Sequence, residues 1–374
     1  VSAPRIALTH HWLTSPGGAE KVLYQLHQMY PDAPIYTAAY QPKKFPEFSN
    51  ADVRTTFLDK IPFLKFKHQL FPIFLGTPFK LLDMSEYDIV ISSCAAEAKY
   101  VRTNSNTLHI CYCHTPVRYY WSDYEWRLNN LPFGRMNWLA KLVFPLLIGT
   151  LRGLDYKAAQ QVNVFVANSK FIQGRIKRYY HRDSTVIYPP IFTSMYSKKR
   201  APTDDYYLIV GRQVASKRLD LAVDAFNKLG LPLKVAGVGE ELDRQRPRAK
   251  ANIEFLGHVN DEERDMLFSG AKAFIFPPEE DFGMVPLEAM AAGTPVIAFN
   301  GGGAPEYVSD GLTGILFDQQ TPESLIEAVM RFQEISFDDA KIRGRAEEFD
   351  TAIFRRRMAN FVEQQWSLFS FKKT

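Results

Sequence analysis

Cysteine is scarce: the 374 residues hold three, Cys94, Cys111 and Cys113. So small and odd a number excludes a disulfide framework and favours a reducing compartment. No second Cys/His pair stands at zinc spacing, so Cys111 and Cys113 are expected as small buried side chains on one face of a strand. Long apolar runs are missing too. The most apolar stretch, LVFPLLIGTL at 142–151, is about half the ~20 residues that a spanning helix needs, and Pro145 and Gly149 interrupt it. No charged-then-apolar leader stands before RIALTHHW, so no signal peptide is read in the chain as given. There is no zinc-finger spacing, RNA-recognition signature or long basic tract, and nucleic acid is not an expected partner. The Gly-x-Gly-x-x-Gly fingerprint also fails, because position 242, after Gly237 and Gly239, is Leu; this disfavours a nicotinamide nucleotide.

What is present reads as a globular chain, 46% hydrophobic and 23% charged. Its length suits two domains of roughly 150–200 residues. The net charge of +4 hides an asymmetry: residues 1–190 carry 22 Lys and Arg against 13 Asp and Glu, whereas residues 191–374 carry 23 against 28. A basic first half suits a phosphorylated substrate or an anionic membrane.

Apolar runs of strand length alternate with helical patterns almost from end to end, as in a parallel sheet with crossover helices. In the first half strands are expected at 6–12, 33–40, 88–93, 108–114, 163–169 and 184–190, with helices near 18–30, 66–83, 117–126, 136–161 and 170–180. At 188–205 three prolines and a charge cluster break the pattern, as an interdomain linker would. A second series follows, with strands at 206–212, 232–238, 253–259, 273–278, 295–299 and 314–318. Its helices are expected near 217–229, 240–247, 261–269, 285–293 and 322–335, then 338–349 and 351–369. The expected architecture is α/β: two Rossmann-like doubly wound domains, 1–190 and 191–350, facing a central cleft, with a C-terminal helix at 351–374 packing back on the first.

Ligands of open α/β sheets bind beyond the carboxyl ends of the strands, and the chemically informative residues fall there. Arg212 follows a strand and Lys217 is expected at the start of the next helix; a planar fork and a point charge beside a helix N-terminus suit a diphosphate. Two solvated surface cations are the plain alternative. Gly237 and Gly239 stand at a strand-to-helix turn, where backbone can approach a nucleotide. In EEDFGMVPLEAMAAGTPVIAF, 279–299, Glu280 follows a strand and Glu288 lies one to two turns into a helix. Backbone N–H groups around Phe282, Gly283 and Met284 suit an anion, while the carboxylates suit the hydroxyls of a sugar and of a ribose. An exposed loop acid plus a capping Glu is the plain alternative.

These motifs resemble glycosyltransferase family four, retaining enzymes of the GT-B fold. The resemblance rests on Gly-Arg with Lys217 five positions later, the Glu-x7-Glu spacing and GGGAPEYV. In the first half GGAEKV, CYCHTPVRYYW, VANSKFIQGRIKRYY and VIYPP are similar to the O-antigen mannosyltransferase branch. The resemblance implies that 1–190 binds the acceptor and 191–350 the donor. It puts Arg212 and Lys217 on the donor diphosphate, Glu280 on the donor sugar and Glu288 on the ribose, with Gly239, Val259, Phe282, Gly283 and Met284 lining the donor. His114 reaches the transferred sugar, more as a positioner than a base, and Gly17 and Gly18 approach the donor phosphate. Catalysis is thus expected from Glu280, His114, Arg212 and Lys217. Asp281 departs from the usual Glu-Gly-Phe-Gly and adds a charge beside the donor-sugar contact.

The implied donor is guanosine diphosphate mannose, with uridine diphosphate sugars second, and the implied reaction is same-face transfer with no metal or other cofactor. Asp123 and Glu125 could ligate a metal but are expected at the surface or in packing. Lys65, Lys67, Phe71 and Phe74, within the cationic aromatic segment 59–82, are expected to meet an anionic membrane or the acceptor; the 136–152 stretch is a second candidate. A lipid-diphosphate-linked saccharide acceptor would put the protein in the cytoplasm, peripheral on the inner face of the membrane. The rivals are a sugar-nucleotide epimerase, a pyridoxal-dependent phosphorylase and a sugar-nucleotide-binding protein without catalysis.

Overall fold

The computed structural model describes residues 4–61, 76–129, 137–196 and 205–371. Two compact units divide the chain, one of residues 1–189 with 354–374, the other of 190–353. The expected boundary at 190 falls at this division, while residues 197–204 of the expected linker lie outside the described residues.

The first unit holds β1 (Ile6–His10), α1 (Gly18–Met29), β2 (Ile35–Thr37), β3 (Val53–Thr55), α2 (Thr77–Leu81), β4 (Ile89–Cys94), β5 (Leu108–Cys113), α3 (Tyr124–Asn129), α4 (Asn137–Gln161), β6 (Val164–Ala167), α5 (Lys170–Tyr180) and β7 (Ser184–Val186). All seven strands are parallel, in the order β3-β2-β1-β4-β5-β6-β7. Strands β4 and β5 are buried along their whole length, which is why IVISSC and LHICYC carry small or apolar side chains on both faces. The six expected strands are present and β3 is an addition: a three-residue edge strand with two exposed positions. No helix forms at 117–123; those residues make a turn and α3 begins at Tyr124. Of the helix expected at 66–83, α2 is the described part.

The second unit holds β8 (Tyr207–Val210), α6 (Leu219–Leu229), β9 (Leu233–Ala236), α7 (Glu241–Gln245), β10 (Ile253–Gly257), α8 (Asp261–Gly270), β11 (Ala273–Phe276), α9 (Met284–Ala291), β12 (Val296–Phe299), β13 (Gly314–Phe317), α10 (Pro322–Gln333) and α11 (Asp339–Glu347). Its order, β10-β9-β8-β11-β12-β13, is that of the dinucleotide-binding sheet, reversing between β8 and β11. Local chemistry sets the helix ends. Asn260 and Glu263 form a capping box on α8, and Gly230 closes α6 in the left-handed region.

The last helix, α12 (Thr351–Phe371), packs on the first sheet through Phe354, Met358, Phe361 and Val362. Each such buried side chain contributes about 1.5–3 kcal/mol. Arg355 adds a hydrogen bond to Gln25 of α1 at 2.6 Å.

Candidate active site

In the second unit the β8 and β11 ends bound an open recess, lined by Gly211, Arg212, Gln213, Lys217, Pro277 and Pro278 among others. It sits where the strand order reverses, the place at which open α/β sheets take ligands. Lys217 lies in a 3-10 turn, Ala215–Lys217, and Arg218 in the left-handed region separates it from α6. The expected continuous helix from 217 is thus corrected: the break lifts Lys217 out of the helix and over the recess. Its ammonium pairs with the Glu280 carboxylate. Both side chains keep partial access to solvent, 31% for Lys217 and 22% for Glu280. Arg212 is exposed; its carbonyl accepts from Val214 N–H at 3.1 Å, while its guanidinium has no hydrogen bond or ion pair among the described residues. One free and one paired cation therefore face the recess.

Glu280 is set by its backbone. Gly303 N–H donates to the Glu280 carbonyl at 2.8 Å. Gly302, at φ +62°, lies so close that an added Cβ would stand 2.1 Å from that oxygen. The GGGAPEYV motif thus holds the loop that carries Glu280. Next along, Gly283 (φ +86°) precedes α9, whose first turn has no side-chain cap, so the Met284 and Val285 N–H groups face outward with the positive end of the helix. Phe282 is buried against Tyr307 and Phe349, and Asp281 is 9% exposed.

Gly237 and Gly239 have a structural task that the sequence did not reveal. A Cβ on Gly239 would meet the Gln213 carbonyl at 2.0 Å, and one on Gly237 the Gly211 carbonyl at 1.8 Å. They let the β9 loop close on the loop carrying Arg212, where Gln213 N–H donates to Val238 O at 2.9 Å. Val259 follows β10, partly exposed.

Glu288 is 4% exposed. Its Oε2 is 4.0 Å from Arg264 Nε, and the buried Tyr196 phenol lies within electrostatic reach of both side chains. Burial, and then the Glu288 charge, push the Tyr196 phenol well above its usual range. Neither Arg264 nor Tyr196 was singled out from the sequence, since only the fold brings them to this carboxylate.

In the first unit the sheet reverses between β1 and β4, and a polar chain gathers there. His114, after β5, meets Ser93 Oγ through Nε2 at 2.8 Å; the same hydroxyl meets His10 Nδ1 at 3.1 Å, and His10 Nε2 lies 3.2 Å from Glu20. Burial first, then His10, lower the His114 imidazole to about 3, so it is neutral at physiological pH. Gly17 is the extended N-cap of α1 and Gly18 its first residue, with no side-chain cap. His10, His11 and Glu20 could bring three ligand atoms within 4.8 Å of one another, the one such group among the described residues. Asp123 is partly buried and Glu125 exposed.

All three cysteines are buried and free. Beside them lies a buried ion pair, Lys99 with Asp155 at 2.6 Å, whose carboxylate also accepts from Tyr100, Trp121 and Tyr180. Glu97 accepts from Tyr119 at 2.7 Å, and burial raises its carboxyl to about 7. On α4, Ile148 and Leu151 pack against Val117 and Tyr120, while Trp138 (66%), Leu142 (62%), Val143 (41%) and Leu146 (79%) are exposed. Lys65, Lys67, Phe71 and Phe74 lie outside the described residues. No described helix is long and apolar enough to cross a membrane.

Residues 192–349 match the family model of Glycosyl transferases group 1. The match spans nearly all of the second unit. Curated relatives include the alpha-1,3/1,6-mannosyltransferase ALG2 of Dictyostelium discoideum, 27% identical over 62% of this chain and 63% of that protein. A glycogen synthase of Thermus thermophilus is 31% identical over 37% of the chain and 34% of its own length. The O-antigen chain mannosyltransferase C of Escherichia coli is 27% identical over 51% and 54%. The chain thus spans less than two thirds of each of these relatives. Among solved structures, Anabaena Alr3699/HepE in complex with UDP and glucose superposes with a TM-score of 0.71 at 19% identity, covering 96% of this chain and all of that one. Each of the two Rossmann-like units is of the kind found in the GT-B fold.

Proposed function

We propose that the chain is a retaining hexosyltransferase that moves mannose from guanosine diphosphate mannose to a lipid-linked or oligosaccharide acceptor in cell-surface polysaccharide synthesis. The observation that carries the reading is the grouping of Arg212, Lys217 and Glu280 at the reversal point of the group 1 sheet. Breaking a sugar–phosphate bond leaves negative charge on a nucleoside diphosphate, and fixed cations can stabilise it. Without donor, Lys217 and Glu280 neutralise each other. When a donor binds, its diphosphate draws Lys217 toward itself, with Arg212, and frees Glu280 to accept hydroxyl groups of the sugar. Transfer then proceeds on one face: the glycosyl–oxygen bond breaks, the acceptor oxygen bonds to the anomeric carbon, and the leaving phosphate oxygen takes the acceptor proton. A neutral His114 positions the sugar.

Mannose is favoured because two of the relatives are mannosyltransferases. Uridine diphosphate sugars are the second reading, suggested by the nucleotide bound to HepE. The exposed Trp138, Leu142, Val143 and Leu146 surface, with Lys141 beside it, is proposed to rest on an anionic membrane at the inner face, where the acceptor lipid resides. Incubating the protein with guanosine and uridine diphosphate sugars, acceptor lipid extract and EDTA tests the reading. Mannosylated lipid with retained configuration is expected. Free sugar or an epimerised donor as the sole product overturns the transferase reading, and transfer only after Mg²⁺ or Mn²⁺ is restored overturns its metal-independence.

A further inference from the structure

Arg264 is placed oddly for its own helix. It lies in the opening turns of α8, whose first turn holds Asp261, Glu262 and Glu263; acids suit that end of a helix and a cation does not. One of its nitrogens pairs with Asp261 at 3.1 Å. The rest of the guanidinium turns inward, so that Nε is buried without a hydrogen-bond partner and stands 4.0 Å from Glu288 Oε2. That separation is too long for a hydrogen bond and short enough for strong attraction at low local dielectric. Tyr196, 6% exposed, lies within electrostatic reach of both groups. A carboxylate shut away from water is costly unless a charge partner and polar groups surround it; Arg264 is such a charge partner and the Tyr196 phenol lies beside it.

We propose that Arg264 and Tyr196 are positioning residues for the donor: they hold the Glu288 carboxylate in one orientation, so that it receives the two hydroxyl groups of the nucleotide ribose. The proposal rests on reading Glu288 as the ribose contact. A swinging carboxylate would accept one hydroxyl poorly. A fixed one accepts two, and the distinction between ribose and a sugar without those hydroxyls depends on it.

Calorimetric titration tests this with GDP and UDP, each against its 2′,3′-dideoxy counterpart, on the full chain and its Arg264→Leu, Arg264→Lys and Tyr196→Phe variants, with thermal melts checking the fold. The full chain is expected to bind at least one ribonucleotide about tenfold or more tightly than its dideoxy form. Arg264→Leu is expected to compress that ratio below about threefold, Arg264→Lys to recover part of it, and Tyr196→Phe to fall between. A general loss of packing lowers both affinities and leaves the ratio alone. If the full chain discriminates and both Arg264→Leu and Tyr196→Phe keep the whole ratio, the positioning inference fails while Glu288 stays on the ribose. Should Arg264→Leu not fold, the Tyr196→Phe ratio decides alone. Equal binding of ribo and dideoxy forms by the full chain overturns the ribose reading and the inference together, and no binding of either nucleotide overturns the donor site itself.

Discussion

Gly302→Ala is a one-methyl change aimed at the Glu280 loop. The new Cβ would stand 2.1 Å from the Glu280 carbonyl oxygen and 2.8 Å from its nitrogen, whereas ordinary contact begins near 3.4 Å. The Glu280 backbone must therefore move by about 1.3 Å, or the Gly302 loop must retreat by as much and lose the 2.8 Å hydrogen bond from Gly303. Either response tilts the carboxylate that is assigned to the transferred sugar. A misplacement of about 1 Å at a reacting centre costs on the order of 100-fold in rate. Alanine at φ +62° adds roughly 1–2 kcal/mol of backbone strain, visible as a lower melting temperature. The assay is steady-state transfer of radiolabelled sugar, read beside GDP affinity by calorimetry. We expect kcat to fall about 100-fold while GDP affinity changes less than about threefold, because the diphosphate is assigned to Arg212 and Lys217. Wild-type kcat in a folded Gly302→Ala protein refutes the claim that this loop sets Glu280, and an equal loss of GDP affinity refutes the division of labour.

Lys217→Ala removes the cation assigned to the leaving group and frees Glu280 of its ion pair, so kcat/KM should drop by roughly 10- to 100-fold or more without a change in secondary structure by circular dichroism; unchanged kcat/KM rules out the assignment. Glu97, raised to about 7 in the folded chain against 4.5 for the ordinary carboxyl, binds more protons folded than unfolded between those pH values. Its contribution is therefore fully present below pH 4.5 and declines as pH rises through 7, by of order 3 kcal/mol. Glu97→Gln should flatten urea-unfolding stability between pH 5 and 8 relative to the parent, and an identical slope in both would show that Glu97 is not the group responsible. Leu142→Ser with Leu146→Ser should weaken flotation with anionic vesicles by about tenfold or more, and equal flotation would return that helix face to another role.

The two alternating series of strands and helices, the break near 190 and the family motifs were legible in the chain, because parallel strands buried on both faces demand continuous apolar runs such as YLIV and VIAF. Strand β3 was not, since VRT is short, polar and at a sheet edge, where pairing rather than side-chain burial defines it. The turn at 117–123 looked helical because its aromatic residues pack against α4 and so mimic an amphipathic period. Of the site, the types and spacing of Arg212, Lys217, Glu280 and Glu288 could be read in order along the chain. Three-dimensional packing alone decided that Arg218 breaks the helix and turns Lys217 toward Glu280, and that Gly237 and Gly239 let one loop rest on another. It alone decided that Glu288 lies shut in behind Arg264 and Tyr196. Local pattern carries period and chemistry within an element, whereas charge pairing and close backbone approach join residues far apart in sequence, and only the folded sheet brings those within reach of each other.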